Sequence, residues 1–202
     1  ERFLQQCAED NIQVAYPTTA RQYFHLLRRQ VRRDVRKPLV VMAPKQPLRM
    51  KESRSPISEL TTGSFNEVLD DPFVADRSAV RRVVLCSGKV AWDAMAERTK
   101  RGAGVAIVRV EQLYPFPEDQ ISAVLATYPN AKEVVWLQEE PENMGAWHFI
   151  DRRIERALSG ANVKAKRPVY IGRAEAASPA TGSARTHLKE QADLVDRALT
   201  VG

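Results

Sequence analysis

The sequence predicts an α/β protein whose main body is a largely parallel sheet covered by helices on both faces. Three observations carry this. Apolar runs of strand length recur at Val83–Cys86, Val105–Val110, Glu133–Leu137 and Val169–Ile171. Segments with helical apolar spacing lie between and after them, over Val90–Lys100, Glu118–Tyr128, Trp147–Leu158 and Ala184–Leu199. Breakers such as Gly102, Pro115 and Pro117 separate the elements. Strands alternating with helices of this length pair in parallel, because each crossover returns the chain to the same end of the sheet. Runs that stay apolar, instead of alternating with polar residues, belong to strands buried on both faces.

Taken in order, residues 1–10 read as the end of a helix and Ile12–Tyr16 as a short strand closed by Pro17. Thr18 or Thr19 caps the next helix, which is expected to run to about Val35 with Phe24, Leu27, Val31 and Val35 on one face. Leu39–Met42, between prolines, is expected to be a strand buried on both faces. Residues 1–45 therefore look like the tail of a doubly wound α/β domain, and not a complete one. The chain lacks an initiator Met and opens with Phe3, Leu4, Cys7 and Ala8 already on an apolar helix face, so it reads as a piece of a longer polypeptide. Residues 46–79, basic and punctuated by Pro47, Pro56 and Pro72, read as an ordered linker with a turn of helix near 56–60. Residues 80–202 hold the second alternating series, and its last helix is expected to point Leu188, Ala192, Val195 and Leu199 inward.

Composition narrows the partners. The chain has 202 residues, 44% hydrophobic and 28% charged, enough to bury a core. A net charge of +6 suits several kinds of anionic partner and selects none. No apolar run approaches the ~20 residues of a membrane span, so no membrane partner is expected. Cys7 and Cys86 form no C-x-x-C pair and are expected to be buried free thiols.

Motif tests are mostly negative. Ser87-Gly88-Lys89 follows a strand and opens a helix, where anions bind. A phosphate loop would need Gly at position 83, occupied by Val83, and Ser or Thr at position 90, occupied by Val90. A plain turn with Lys89 near solvent is the expectation. Gly102-Ala103-Gly104 precedes a strand, so the dinucleotide fingerprint fails. His25, His148 and His187 have no metal-ligand spacing and read as surface or capped residues. The basic run Arg28–Lys37, with Lys45, Arg49, Lys51 and Arg54, lacks interleaved aromatics. It is read as a solvated face or a docking face for an acidic neighbour, with no nucleic-acid partner. Glu139, Glu140 and Glu142 follow the third strand, where parallel sheets bind ligands, and on the residues alone they stand as acid–base candidates.

Several segments stand out in order over nearly the whole chain: Leu26-Leu27-Arg28-Arg29-Gln30, Lys37–Met42 with Pro44-Lys45 and Leu48-Arg49, Cys86–Lys89, Val105–Pro117 with its Glu111-Gln112-Leu113-Tyr114-Pro115-Phe116-Pro117, and Gln138–Pro141 with Asn143 and Gly145-Ala146-Trp147. Gly172-Arg173 and Ala177–Gly182 complete the set. Together they resemble the E1 component of 2-oxoglutarate dehydrogenase. The resemblance implies a transketolase-like E1 homodimer that uses thiamine diphosphate and Mg²⁺, decarboxylates 2-oxoglutarate and succinylates the lipoyl arm of E2, in the cytoplasm or a mitochondrial matrix. It makes residues 1–45 the end of the pyrimidine-binding domain, 46–79 a linker and 80–202 the transketolase-type carboxyl-terminal domain. It implies that cofactor and substrate groups precede residue 1, so no catalytic, cofactor or metal residue is carried over. The choice between 2-oxoglutarate and 2-oxoadipate stays open.

In this resemblance the carboxyl-terminal domain serves assembly, and Gln138, Glu139 and Glu140 with Trp147 are expected to order a loop at a domain or subunit contact. Lys89, Asn143 and Arg173 join them as interface or regulatory candidates. Acetyl-CoA activation, known in actinobacterial relatives, is not expected, since Gly172-Arg173 offers one Arg and Ser58 stands where another would. Gln46-Pro47 and Ala91-Trp92 also depart from the family pattern. The alternative is a stand-alone anion- or nucleotide-binding regulatory module using Lys89, Arg173 and the basic linker.

Overall fold

The computed structural model describes residues 1–102, 104–161 and 163–201, so Ala103 of the Gly102–Gly104 run lies outside them. The first part holds α1 (Arg2–Gln5), β1 (Gln13–Ala15), α2 (Ala20–Arg32) and β2 (Leu39–Val41). The middle holds α3 (Ile57–Thr61) and β3 (Val68–Leu69), with 3-10 turns at Gln46–Leu48 and Arg77–Ala79. Then come β4 (Arg82–Cys86), α4 (Val90–Arg101), β5 (Val105–Val110), β6 (Gln112–Tyr114), α5 (Glu118–Ala126), β7 (Glu133–Pro141), α6 (Trp147–Ala161), β8 (Pro168–Arg173) and α7 (Ala184–Leu199).

Five strands form one sheet in the order β3-β5-β4-β7-β8. All neighbours are parallel except β3, which runs antiparallel to β5. The two-residue period of a strand sorts its apolar run into two cores. Val83, Leu85, Val108, Val134 and Trp136 pack with Ile121, Leu125, Ile150 and Ile154 of α5 and α6. Val84, Cys86, Ile107, Val135 and Leu137 pack with Ala91, Ala94, Leu194 and Ala198 of α4 and α7. Each buried Leu or Ile contributes roughly 1.5–3 kcal/mol relative to exposure. Gly102, at φ 65°, ends α4 in the left-handed conformation that glycine takes without strain.

A second sheet, β2-β1-β6, crosses the segment boundaries expected from sequence. β1 pairs in parallel with β2 and antiparallel with β6, a strand from the carboxyl-terminal series. Neither β3 nor β6 was expected. β2 is a half-buried edge strand and not one buried on both faces, because only β1 lies beside it.

Two helices sit differently from their apolar patterns. In α2 the expected apolar face points outward: Phe24, Leu27 and Val31 are 43%, 44% and 74% exposed, and Val35 lies beyond the helix end. The inward residues are Gln22, His25 and Leu26, so His25 is buried and not a surface residue. In α7, Leu188 and Ala192 are exposed, and Leu194, Val195, Ala198 and Leu199 face in. Only the second half of that helix lies over the sheet, so a stripe counted from its start is rotated.

Residues 46–79 wrap the polar side of α2. Gln22 donates to the Asn66 carbonyl at 2.5 Å and accepts from the Asn66 amide at 3.2 Å. His25 Nε2 reaches the Glu59 carbonyl at 2.8 Å, and Arg29 pairs with Glu67 at 2.7 Å. Pro47 lies in the Gln46–Leu48 turn, where its carbonyl accepts from the Ser53 hydroxyl. At the far end Asp71 is buried, with one oxygen accepting from Arg98 and the Ile107 amide and the other from the Phe73 amide.

The first segment is joined to the sheet through Thr18. Its amide and hydroxyl donate to the two carboxylate oxygens of Glu111, at 2.8 and 2.5 Å. The hydroxyl also accepts from Arg109 at 2.9 Å, and the carbonyl accepts from Trp92 Nε1 at 3.2 Å. Glu111 is fully buried and Thr18 nearly so. A buried carboxylate that loses a donor costs about 2–4 kcal/mol. Thr18→Val keeps the shape and removes the hydroxyl, so the melting temperature is expected to fall by roughly 5–15 °C for a chain of this size. Thermal unfolding by circular dichroism checks this, and an unchanged midpoint would remove Thr18 from its central place.

Candidate functional site

Open parallel sheets bind ligands at the carboxyl ends of their strands, where strand order reverses. Here the chain crosses from β4 to β5 on one side and then to β7 on the other, so the reversal falls at the end of β4. That end is Ser87-Gly88-Lys89. Tyr16 fills it: a Cβ built on Gly88, at φ 74°, would lie 2.1 Å from the Tyr16 ring. The Lys89 amide donates to Tyr16, and the Tyr16 amide donates to the Glu111 carbonyl at 2.7 Å. The crevice of the fold is thus occupied by the protein's own first segment. Burial, with Glu140 and Glu139 nearby, holds the Tyr16 hydroxyl well above its usual range.

Lys89 is not near solvent as expected. It pairs with Glu139 at 2.6 Å, with Asp93 at 4.0 Å. Gln191 of α7 donates to Asp93 at 2.9 Å and to Glu139 at 3.4 Å. Arg173, at the end of β8, donates to the Glu139 carbonyl, to Glu190 at 2.9 Å, to Gln191 at 3.0 Å and to His187 Nδ1 at 3.1 Å. A guanidinium has no acceptor, so His187 Nδ1 is the acceptor there. His187 is thus engaged in this network, while His148 is exposed.

Gln138 is buried and inside β7, which continues through the acidic residues to Pro141 instead of ending at Leu137. Its side-chain Oε1 accepts from Trp136 Nε1 at 3.1 Å and from the amides of Ala146 and Trp147 at 2.8 and 3.1 Å. Its amide donates to the Glu140 and Pro141 carbonyls. It therefore caps α6 from a neighbouring strand, supplying the acceptor that a first turn lacks. Gly145 permits this approach, since a Cβ there would lie 2.0 Å from the Gln138 amide. Asn143 clamps the Ala176 backbone with two bonds of 3.1 Å, tying the loop after β7 to the loop after β8. Trp147 packs on Tyr170 with centroids 5.3 Å apart.

A cavity of about 460 Å³ lies beside this network, lined by Glu139, Glu140, Arg173, Glu175, His187 and Glu190 among others. Of these, Glu140 has a carboxyl that accepts no hydrogen bond from another side chain among the described residues. Burial first, and then Glu139, hold its carboxyl above the ordinary glutamate range, with Lys89 pulling weakly the other way. Cys86 is buried and free, its thiol pushed up to about 12 by burial, which leaves it unreactive. Cys7 is also free but only partly buried.

The sequence singled out Lys89, Gln138, Glu139, Glu140, Asn143, Trp147 and Arg173, and the structure brings Lys89, Glu139 and Arg173 into one network. Gln138, Asn143 and Trp147 act on the adjoining loops. The joint residues Thr18, Arg109 and Glu111 were missed as a unit, although two of them sit in or beside the Glu111–Pro117 motif.

Comparison with known proteins places these features. The family model for the 2-oxoglutarate dehydrogenase C-terminal region matches residues 54–199, and that for the transketolase pyrimidine binding domain matches residues 1–51. A 2-oxoglutarate dehydrogenase E1 component of Azotobacter vinelandii is 48% identical over 202 residues, which are 100% of this chain and 21% of that protein. One from Cupriavidus necator is 48% identical over 200 residues, 98% of this chain and 20% of that protein. One from Brucella melitensis is 49% identical over 210 residues, 98% of this chain and 21% of that protein. The chain spans about a fifth of the length of the curated relatives it matches.

Two outcomes are expected. Gln138→Ala leaves three donors without their acceptor and should cost about 2–4 kcal/mol, read as a lowered urea midpoint. Glu140, with its folded value raised, binds its proton more tightly folded than unfolded. Its contribution is present at low pH and falls away as pH rises from about 4.3, the ordinary glutamate value, through the folded one. Urea midpoints measured across that range should decline less for Glu140→Gln than for the parent, and parallel curves would remove Glu140 as the cause.

Proposed function

The chain belongs to the 2-oxoglutarate dehydrogenase E1 family, and on that premise we propose that it is the carboxyl-terminal assembly and interface region of an E1 subunit. In this reading the whole enzyme is a homodimer that decarboxylates 2-oxoglutarate with thiamine diphosphate and Mg²⁺. It then succinylates the lipoyl group of E2, a step of the tricarboxylic acid cycle. The bacterial relatives support a cytoplasmic location. No helix among the described residues is long and apolar enough to cross a membrane, and no nucleic-acid partner is assigned.

One observation carries the role. The crevice where this fold would take a ligand is filled by Tyr16, and Lys89 and Arg173 are engaged by Glu139 and Glu190. These residues join parts of the protein instead of awaiting a substrate. The same pairing weighs against a stand-alone anion-binding module, because neither cation is free to bind one. Among the described residues no group of three or more His, Cys, Asp and Glu could hold a metal ion. In this reading the diphosphate and its metal are held by parts of the enzyme outside this chain. The division into 1–45, 46–79 and 80–202 belongs to the same proposal; the two family matches meet between residues 51 and 54, inside the proposed linker. Gln138, Glu139, Glu140, Asn143 and Trp147 are assigned to ordering the loops at the resulting contact.

The test is a decarboxylation assay with 2-oxoglutarate, thiamine diphosphate and Mg²⁺. The 202-residue chain alone should be inactive. A chimera in which it replaces the matched fifth of the Azotobacter vinelandii E1 component should turn over. Activity in the isolated chain would overturn the assignment of the chemistry elsewhere, and an inactive chimera would count against the E1 reading itself.

A further inference from the structure

We infer that the outward face of α2 is a docking surface for the rest of an E1 polypeptide, and that the surface it meets is apolar at its centre with carboxylates along one rim. This rests on the E1 reading above. The observation behind it is a helix whose inner face, apart from Leu26, is polar. Its polar residues Gln22, His25 and Arg29 face the protein and are hydrogen-bonded there, whereas Tyr23, Phe24, Leu27 and Val31 face outward. A surface helix ordinarily does the reverse, and a contiguous exposed apolar stripe marks a contact.

The flank of the stripe selects the chemistry. Arg28 and Arg32 stand along one side of it and make no hydrogen bond or ion pair among the described residues. Arg36, just beyond, donates only to backbone carbonyls. Carboxylates on the opposing rim would pair these arginines. In an antiparallel two-fold pair each helix flank meets its own copy. A second copy of this chain would then set Arg28 and Arg32 against Arg28 and Arg32, which disfavours it.

Area selects the source. α2 is about 20 Å long, and a stripe roughly 10 Å wide on it covers on the order of 200 Å². Free protein partners need about 800 Å² each. A contact this small holds when its partner is part of the same polypeptide, because linkage raises the effective concentration. The relatives are about five times longer than this chain, and the family match at α2 is to the pyrimidine-binding domain.

The experiment uses the isolated chain and the Azotobacter chimera side by side, each carrying Leu27→Asp with Val31→Asp. In the isolated chain these positions are exposed, so the melting temperature should move by no more than about 2 °C. In the chimera the same pair should lower 2-oxoglutarate decarboxylation at least about tenfold. Leu27→Met should retain activity, while Arg28→Glu with Arg32→Glu should lose it. Full activity of the Asp pair in the chimera would overturn the proposal. So would equal destabilisation of the isolated chain, which would make the face part of its own core. Self-association of the isolated chain that Leu27→Asp abolishes would give the face to a second copy and likewise overturn it. An unsubstituted chimera without activity would instead sink the E1 reading, and this proposal with it.

Discussion

The buried contact of Thr18 with Glu111 is the constraint around which the rest is arranged. A carboxylate removed from water needs its oxygens satisfied, and here the donors come from a residue 93 positions away. Arg109 reaches the same hydroxyl and lies over the Trp92 ring, with 5.2 Å to the centroid. The end of β5 with the residue Glu111 that follows it, one helix and the first segment therefore share one polar knot. Nearby, Arg29 donates to Gln112 and the Asp10 amide donates to Tyr114. Glu111, Gln112 and Tyr114 of this run thus all contact the first 30 residues.

That knot explains why the fold's usual binding place is closed. Once Thr18 is fixed, Tyr16 comes down over Gly88 and occupies the strand-order reversal. The cations beside it, Lys89 and Arg173, are turned to neighbouring carboxylates. Lys89, Glu139 and Arg173 are matched to one another and to their neighbours, while the Glu140 carboxyl is kept toward its neutral form by burial.

Much of the main body was legible because its strands are covered on both faces, so their apolar runs at Val83–Cys86 and Val105–Val110 admit few other readings. What failed needed contacts distant in sequence. The pattern of α2 marks two faces but does not say which is inward, and that is decided by Asn66, Glu59 and Glu67 on the wrapping segment. β6 is three residues long and is a strand only because β1 lies beside it. Gln138 looked like part of an acidic loop, yet its neighbours Trp136, Ala146 and Trp147 make it a helix cap. The motif Glu111–Pro117 was recognisable as a family mark long before its physical use could be read, because its partners lie at Asp10, Thr18 and Arg29.

The sheet β2-β1-β6 also has a consequence for the order of events during synthesis. β1 and β2 leave the ribosome some 70 residues before β6, which completes their sheet, and before Glu111, which holds Thr18. Until then β1 lacks its antiparallel neighbour and Thr18 lacks its buried carboxylate, although the segment that wraps α2 has already been made. Pairings this remote in sequence form late and slowly. The nascent chain therefore passes through a stage in which the sheet β2-β1-β6 is incomplete and Thr18 is not yet fixed.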